Sequence, residues 1–161
     1  MTDHTRPDAV DRAAGIDPDG PTFALRERRP EYLEGAEACR VSTLHPDEDL
    51  GLSPDLRAAV AHRVARTAGR DALLAQYPKP NDAALTALAM GDTPEDTKLA
   101  ALARHTDMIA SAPGQSDASD LETLRHAGFT VAQIVALSEL LAFVCFQIRV
   151  AHGLALMEMP S

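Results

Sequence analysis

Three arginines, Arg63, Arg66 and Arg70, stand at i, i+3 and i+7 in a stretch of helical period. That spacing predicts one basic stripe on an otherwise acidic chain. Guanidinium groups bind carboxylate or phosphate bidentately, which makes the stripe a candidate clamp for a small anion. The alternative is structural, a set of ion pairs with the acidic N-terminal segment or with a second subunit. Tyr77, a few residues on, either donates a hydrogen bond into a site there or sits in the core with its hydroxyl satisfied. A second group lies further along, where Ser138, Cys145, Arg149 and His152 fall on one helical face. A cysteine one turn from an arginine, with a histidine beyond, has the setting of a thiol of lowered pKa. Cys145 and His152 are two turns apart, about 10 Å by helix rise, so they do not touch within that helix. The competing reading of Cys145 is a buried core residue. Glu139, among apolar neighbours, is expected to be paired, or to carry a raised pKa and act as a base.

No other chemistry is spelled out. The six histidines form no HxH, HxxxH or HExxH spacing, and nothing resembles a phosphate loop, a nucleophile elbow or a dinucleotide fingerprint. No metal and no cofactor is expected. The two cysteines, Cys39 and Cys145, make neither a disulfide framework nor a zinc motif, and a reducing cytosol is the simplest compartment.

The elements that must hold these residues are helical. Alanine and leucine dominate, tryptophan is absent, and 161 residues make one domain with a sizeable core. Residues 1–21 carry Pro, Gly and Asp without hydrophobic period and read as an irregular arm, ahead of a single helical domain over 22–161. Short helices are expected over 22–28 and from Pro30, the latter with Tyr32, Leu33, Ala36 and Cys39 on its core face. Ser53-Pro54-Asp55 opens a helix with the stripe Leu56, Val60, Val64 and Ala68, stopped at Gly69. A second run carries Leu73, Leu74 and Tyr77. Further helices are expected over 83–90, from a cap at Thr93, and over 117–126. Thr130 and Gln133 form a capping box that opens the last helix, to about residue 156. Apolar residues surround almost all of that helix, so it needs cover on every side, from its own domain or from a second subunit.

Charge narrows the partners. The net charge of −9 argues against nucleic acid. Half of the acids, 12 of 24, lie in the first fifty residues, beside six Arg and no Lys, so the acidity belongs mainly to the N-terminal segment. The start of the sequence has neither the basic nor the apolar region of a secretory signal. The apolar run over 134–148, broken by Ser138, Glu139 and Gln147, falls short of the ~20 residues that span a bilayer, so no membrane is expected.

Three stretches, LSPDLRAAVAHRVARTAG, GDTPEDTKLAALARHTDMIAS and DLETLRHAGFTVAQIVALSELLAFVCFQIRVAHGLAL, taken in order, resemble the carboxymuconolactone decarboxylase-like superfamily, and within it the alkylhydroperoxidase D and peroxidase-related branch. The segment FALRERRPEYLEGAEACRVSTL is similar to the leading helices of members whose motif is likewise altered. The resemblance implies an all-α, alkylhydroperoxidase D-like multi-helix bundle with a long buried C-terminal helix. Active members place Cys-x-x-Cys after a helix stop, with a His four residues past the second Cys and a Glu on the preceding helix. The helix N-terminus favours thiolate, and the His and Glu move protons. With Gly69 at the family's glycine position, the two thiols fall on Arg70 and Leu73, the His on Tyr77 and the Glu on Ala58. All four are replaced.

The expected function is therefore that of a binding or partner subunit with a degenerate active site, a cytoplasmic homo-oligomer (dimer or higher) that works beside an active relative. One alternative is an enzyme that handles a small carboxylated substrate by acid–base chemistry in the vacated pocket, held by Arg63, Arg66 or Arg70 with Tyr77 or Glu139 moving the proton. A lesser one is antioxidant peroxidase activity through Cys145 with an external thiol.

Overall fold

The computed structural model describes residues 7–69 and 71–159. Among them the chain forms nine α-helices, one 3-10 turn at Pro113–Gln115 and no strand. The helices are α1 (Ala9–Ala14), α2 (Pro21–Glu27), α3 (Pro30–Leu44), α4 (Pro54–Arg66), α5 (Asp71–Leu74), α6 (Ala83–Met90), α7 (Thr97–Ser111), α8 (Ala118–His126) and α9 (Val131–Met157). The protein is all-α.

Local chemistry fixes the ends of the two central helices. Ser53 Oγ accepts the Leu56 amide at 3.2 Å and Pro54 occupies the first turn of α4, where its missing N–H costs nothing. At α9 the Thr130 hydroxyl accepts from Gln133 N–H at 3.2 Å while the Gln133 side chain accepts from Thr130 N–H at 3.0 Å. That reciprocal pair satisfies two donors a helix start leaves open. Gly91 closes α6 at φ 92°, a left-handed conformation that a residue with Cβ adopts only under strain.

Packing centres on α4 and α9. Val60 and Val64 are fully buried, as are Leu137, Leu140, Leu141 and Val144, and all join one core cluster. α9 is covered by α1, α3, α4, α7 and α8, and α4 by α3, α5, α6, α7 and α9. The expected stripe on α4 holds, with Leu56 and Ala68 packed at its edges. α9, at 27 residues, is by length and composition apolar enough to cross a membrane, longer than the broken run suggested, but 56% of its most apolar window is buried in the fold. The rest of its surface is an open stripe along one side, so the helix is not buried all round.

Three expectations change. Residues 1–6 of the N-terminal arm lie outside the described residues, but the arm's later part is not irregular. α1 forms with a capping box between Asp8 and Asp11, and its Val10 and Ala13 enter the main core against α9. Arg26 holds that turn by pairing with both Asp8 and Asp11. The helix expected from Thr93 starts later, because Asp96 supplies the cap, accepting the Leu99 amide at 2.8 Å. The third is α3, of which only Leu44 is buried. Cys39 is exposed rather than a core residue, and Tyr32 stands in solvent under the Arg29 guanidinium, 4.6 Å from its ring centre.

Arg57 is buried at the start of α4 and donates to three carbonyls, of Leu52 at 3.0 Å, Thr43 at 3.0 Å and Asp49 at 3.1 Å. It ties the end of α3 and the loop before α4 to the helix. Replacing it by Met keeps the apolar stem and leaves those acceptors unpaired, at about 1–3 kcal/mol for each one that stays dry. We expect Arg57→Met to lower the urea-unfolding free energy by about 3 kcal/mol. A loss under ~0.5 kcal/mol, the level of an ordinary surface substitution, would show that water replaces the guanidinium.

Candidate functional site

α4, the short α5 and α9 meet around Tyr77. His62, buried on α4, faces the Tyr77 carbonyl with Nδ1 at 2.5 Å. A carbonyl only accepts, so Nδ1 carries the proton and donates. The Tyr77 hydroxyl donates to Oε1 of Gln147, itself buried on α9. Burial pushes the Tyr77 phenol well above its ordinary value; Arg40 opposes this, while Glu37 and Cys145 add to it. The Arg40 guanidinium lies 5.5 Å from the Tyr77 ring centre and donates to the Gln76 carbonyl at 2.8 Å. Leu73 is buried in the same core, and Ala58 is half-buried. Tyr77 is thus the satisfied core residue of the two readings, with its one proton engaged.

The arginine stripe does not act as a unit. Arg63 is buried, and its guanidinium grips both carboxylate oxygens of Asp107 at 2.7 Å and donates to the carbonyls of Leu88 at 2.9 Å and Asp92 at 2.8 Å. The pair is lopsided: the Arg63 side chain is 5% exposed and that of Asp107 51%. Arg66 is exposed beside Met90, and Arg70 lies outside the described residues. Arg63 is thus engaged in an ion pair, but its partner sits on α7 of the same chain, not in the acidic N-terminal segment or on a second subunit as expected.

The C-terminal group separates as well. Cys145 is buried while Ser138, Arg149 and His152 are exposed. Burial raises the Cys145 thiol and outweighs the pull of Arg149 in the other direction, so the lowered pKa expected from the spacing is not realised. Glu139 is exposed, which removes the ground for treating it as a buried base. Among the described residues no three His, Cys, Asp or Glu side chains gather as a metal site.

An open concavity lies elsewhere. A cleft of about 700 Å³ runs between α7 and α8, with the Arg63–Asp107 pair at its inner side and Arg104, Thr97, Thr123 and His126 on its walls, a volume within the range of small-molecule sites. His126 Nδ1 donates to the Glu122 carbonyl at 2.7 Å, which leaves Nε2 free to face the cleft. Arg104 has no hydrogen-bond or ion-pair partner among the described residues. Beside the cleft, His105 is buried with Nδ1 unpartnered, in a small void shared with Arg104 and Asp120. Sequence reasoning gave Arg104 no role and weighed Asp107 only beside His105, a pair too weak for a metal site. Only their place on the cleft, with Asp107 held by Arg63 from 44 positions away, marks them, and no local spacing carries that.

Comparison with protein-family models, with curated proteins and with solved structures gives no match for this chain.

Burial holds the His105 imidazole below its ordinary value near 6.5, with Asp120 partly offsetting it. The unfolded chain then binds this proton more readily than the folded one. The stabilisation is present above about pH 6.5 and is lost as pH falls from there through the folded-state pKa. We expect the melting temperature to decline from pH 7 to pH 5 with a slope that His105→Gln reduces. An unchanged slope would assign the decline to other groups.

Proposed function

We propose that the chain is an alkylhydroperoxidase D-like, carboxymuconolactone decarboxylase-like domain that has lost the thiol-peroxidase site. It serves as a non-catalytic binding or partner subunit, in a cytoplasmic homo-oligomer and alongside an active relative. The observation that supports this most is the closure around Tyr77. Where the resemblance puts a resolving thiol and a histidine, Leu73 and Tyr77 are buried, and the phenol is bound to Gln147. The thiol nearest to this cluster, Cys145, is held protonated by burial, and a protonated thiol is a poor nucleophile. The other, Cys39, stands on the exposed side of α3.

A second reading, binding of a small carboxylated molecule, is favoured by the unpartnered Arg104 on the cleft wall rather than by the stripe at residues 63–70. Arg63 has no free donor pair to offer, and Tyr77 is closed off. The cleft would hold a carboxylate against Arg104, with the Thr97 and Thr123 hydroxyls at its sides.

In an assay of hydroperoxide consumption with dithiothreitol as reductant, the purified chain is expected to match its Cys39→Ser/Cys145→Ser variant. Turnover that Cys145→Ser abolishes would overturn the non-catalytic reading. Calorimetric titration with succinate tests the second reading: binding is expected to be lost in Arg104→Gln, and heat that this variant leaves unchanged would exclude the cleft.

A further inference from the structure

The side of α9 that its own chain leaves open is ordered. α9 is 27 residues long, about 40 Å by helix rise. The large apolar side chains exposed on it are Val131, Val135, Phe146, Leu156 and Met157. Between them stand the exposed positions Ala132, Ser138, Ala142, His152 and Gly153, and two charged residues, Glu139 and Arg149. Neither charge has a hydrogen-bond or ion-pair partner among the described residues.

Reversed about residue 144, this exposed set maps onto itself except at Ser138 and His152, which fall opposite half-buried Val150 and buried Ala136 at its margins. Ala142 falls opposite Phe146, Val135 opposite Gly153, and Ala132 opposite Leu156, so each of these three large side chains meets a small one. Val131 meets Met157 at the ends. Glu139 falls opposite Arg149. Val144 is fully buried and points away from the open side, so the centre of that side lies directly over the point of reversal, with Ala142 and Phe146 straddling it. Such self-complementarity is what an isologous twofold contact requires, where residue i meets j and j meets i. A lipid-facing surface would not carry a glutamate and an arginine near its middle, and an unrelated partner would impose no symmetry.

We infer that α9 pairs antiparallel with α9 of a second copy of this chain, the twofold axis passing at residue 144 and two reciprocal Glu139–Arg149 ion pairs flanking the central Phe146–Ala142 contacts. The pairing deepens the subunit reading above and rests on it only for the expectation of a partner. Hydroperoxide turnover and self-association are measured separately, so either can fail alone.

Sedimentation equilibrium of the full chain tests it. The expected wild-type species has twice the 17.2 kDa chain mass. Glu139→Arg and Arg149→Glu each set like charges opposite one another twice, and each is expected to weaken dimerisation at least about tenfold. An equimolar mixture of the two variants restores both ion pairs in a heterodimer and should recover the dimer, as should the double variant. Phe146→Asp, away from Arg57, whose charge Glu139 feels, should give a folded monomer by circular dichroism. A wild-type monomer at 100 µM would overturn the proposal. So would a dimer indifferent to Arg149→Glu and Phe146→Asp, or variants that fail to recover on mixing. Flotation of the wild-type monomer with phosphatidylcholine vesicles would assign the stripe to a lipid surface instead.

Discussion

The structure depends on how α4 is anchored. One side of this helix is a strip of Val60 and Val64 against the core, but three of its buried residues are polar: Arg57, His62 and Arg63. Each reaches out of the helix to main-chain carbonyls of a different segment. Arg57 takes those of residues 43, 49 and 52, His62 that of residue 77, and Arg63 those of residues 88 and 92. A buried cation is tolerable only when every donor is met, so these side chains dictate where the flanking loops run. Apolar packing holds α4 to α9; the carbonyl contacts hold the loops to α4.

The same anchoring explains why the region around Tyr77 is closed while the α7–α8 cleft is open. His62 fixes the main chain at Tyr77, and the side chain of Tyr77 then extends to Gln147, so hydrogen bonds run from α4 through residue 77 to α9 without a gap. On the other flank Arg63 holds Asp107 through both oxygens, yet the carboxylate stays half in solvent. The inner side of the cleft is charge-neutral, and the field within it is set by its walls, where Arg104 and His126 are the basic groups.

Much of this fold is legible in the sequence wherever the signal is local. Ser53-Pro54, the Thr130–Gln133 box, and the glycines at 91 and 128 mark helix ends because cap chemistry involves residues within a few positions of each other. The helix at α1 had the same kind of signal, Asp8 three residues before Asp11 with Gly15 beyond, but a single-turn apolar face of Ala and Val does not stand out beside Pro and Asp. At α7 two cap signals overlap, and the aspartate at 96 prevails over Thr93. On α3 the spacing of Tyr32, Leu33, Ala36 and Cys39 promised a core face, but that helix lies at the periphery and turns most of it outward. The burial of Arg57 and Arg63 was illegible, since their partners are main-chain carbonyls and an aspartate 44 positions away, none of which leaves a pattern in side-chain types. The stripe of three arginines was a true helical periodicity with a mistaken premise, because residues on one face of a helix need not share an environment when one neighbour ends and solvent begins.

α9 follows in sequence every helix that packs on it, and α1, the first described element, lies directly against it. The most apolar surface of the chain and the first helix that covers it are therefore separated by most of the described residues. α4 can pack against α6 and α7 without α9, but the core is completed only when α9 joins α1, α3, α4, α7 and α8. Such long-range closure slows folding relative to bundles of sequential neighbours, because the chain between α1 and α9 must be closed into a loop before their contact is made.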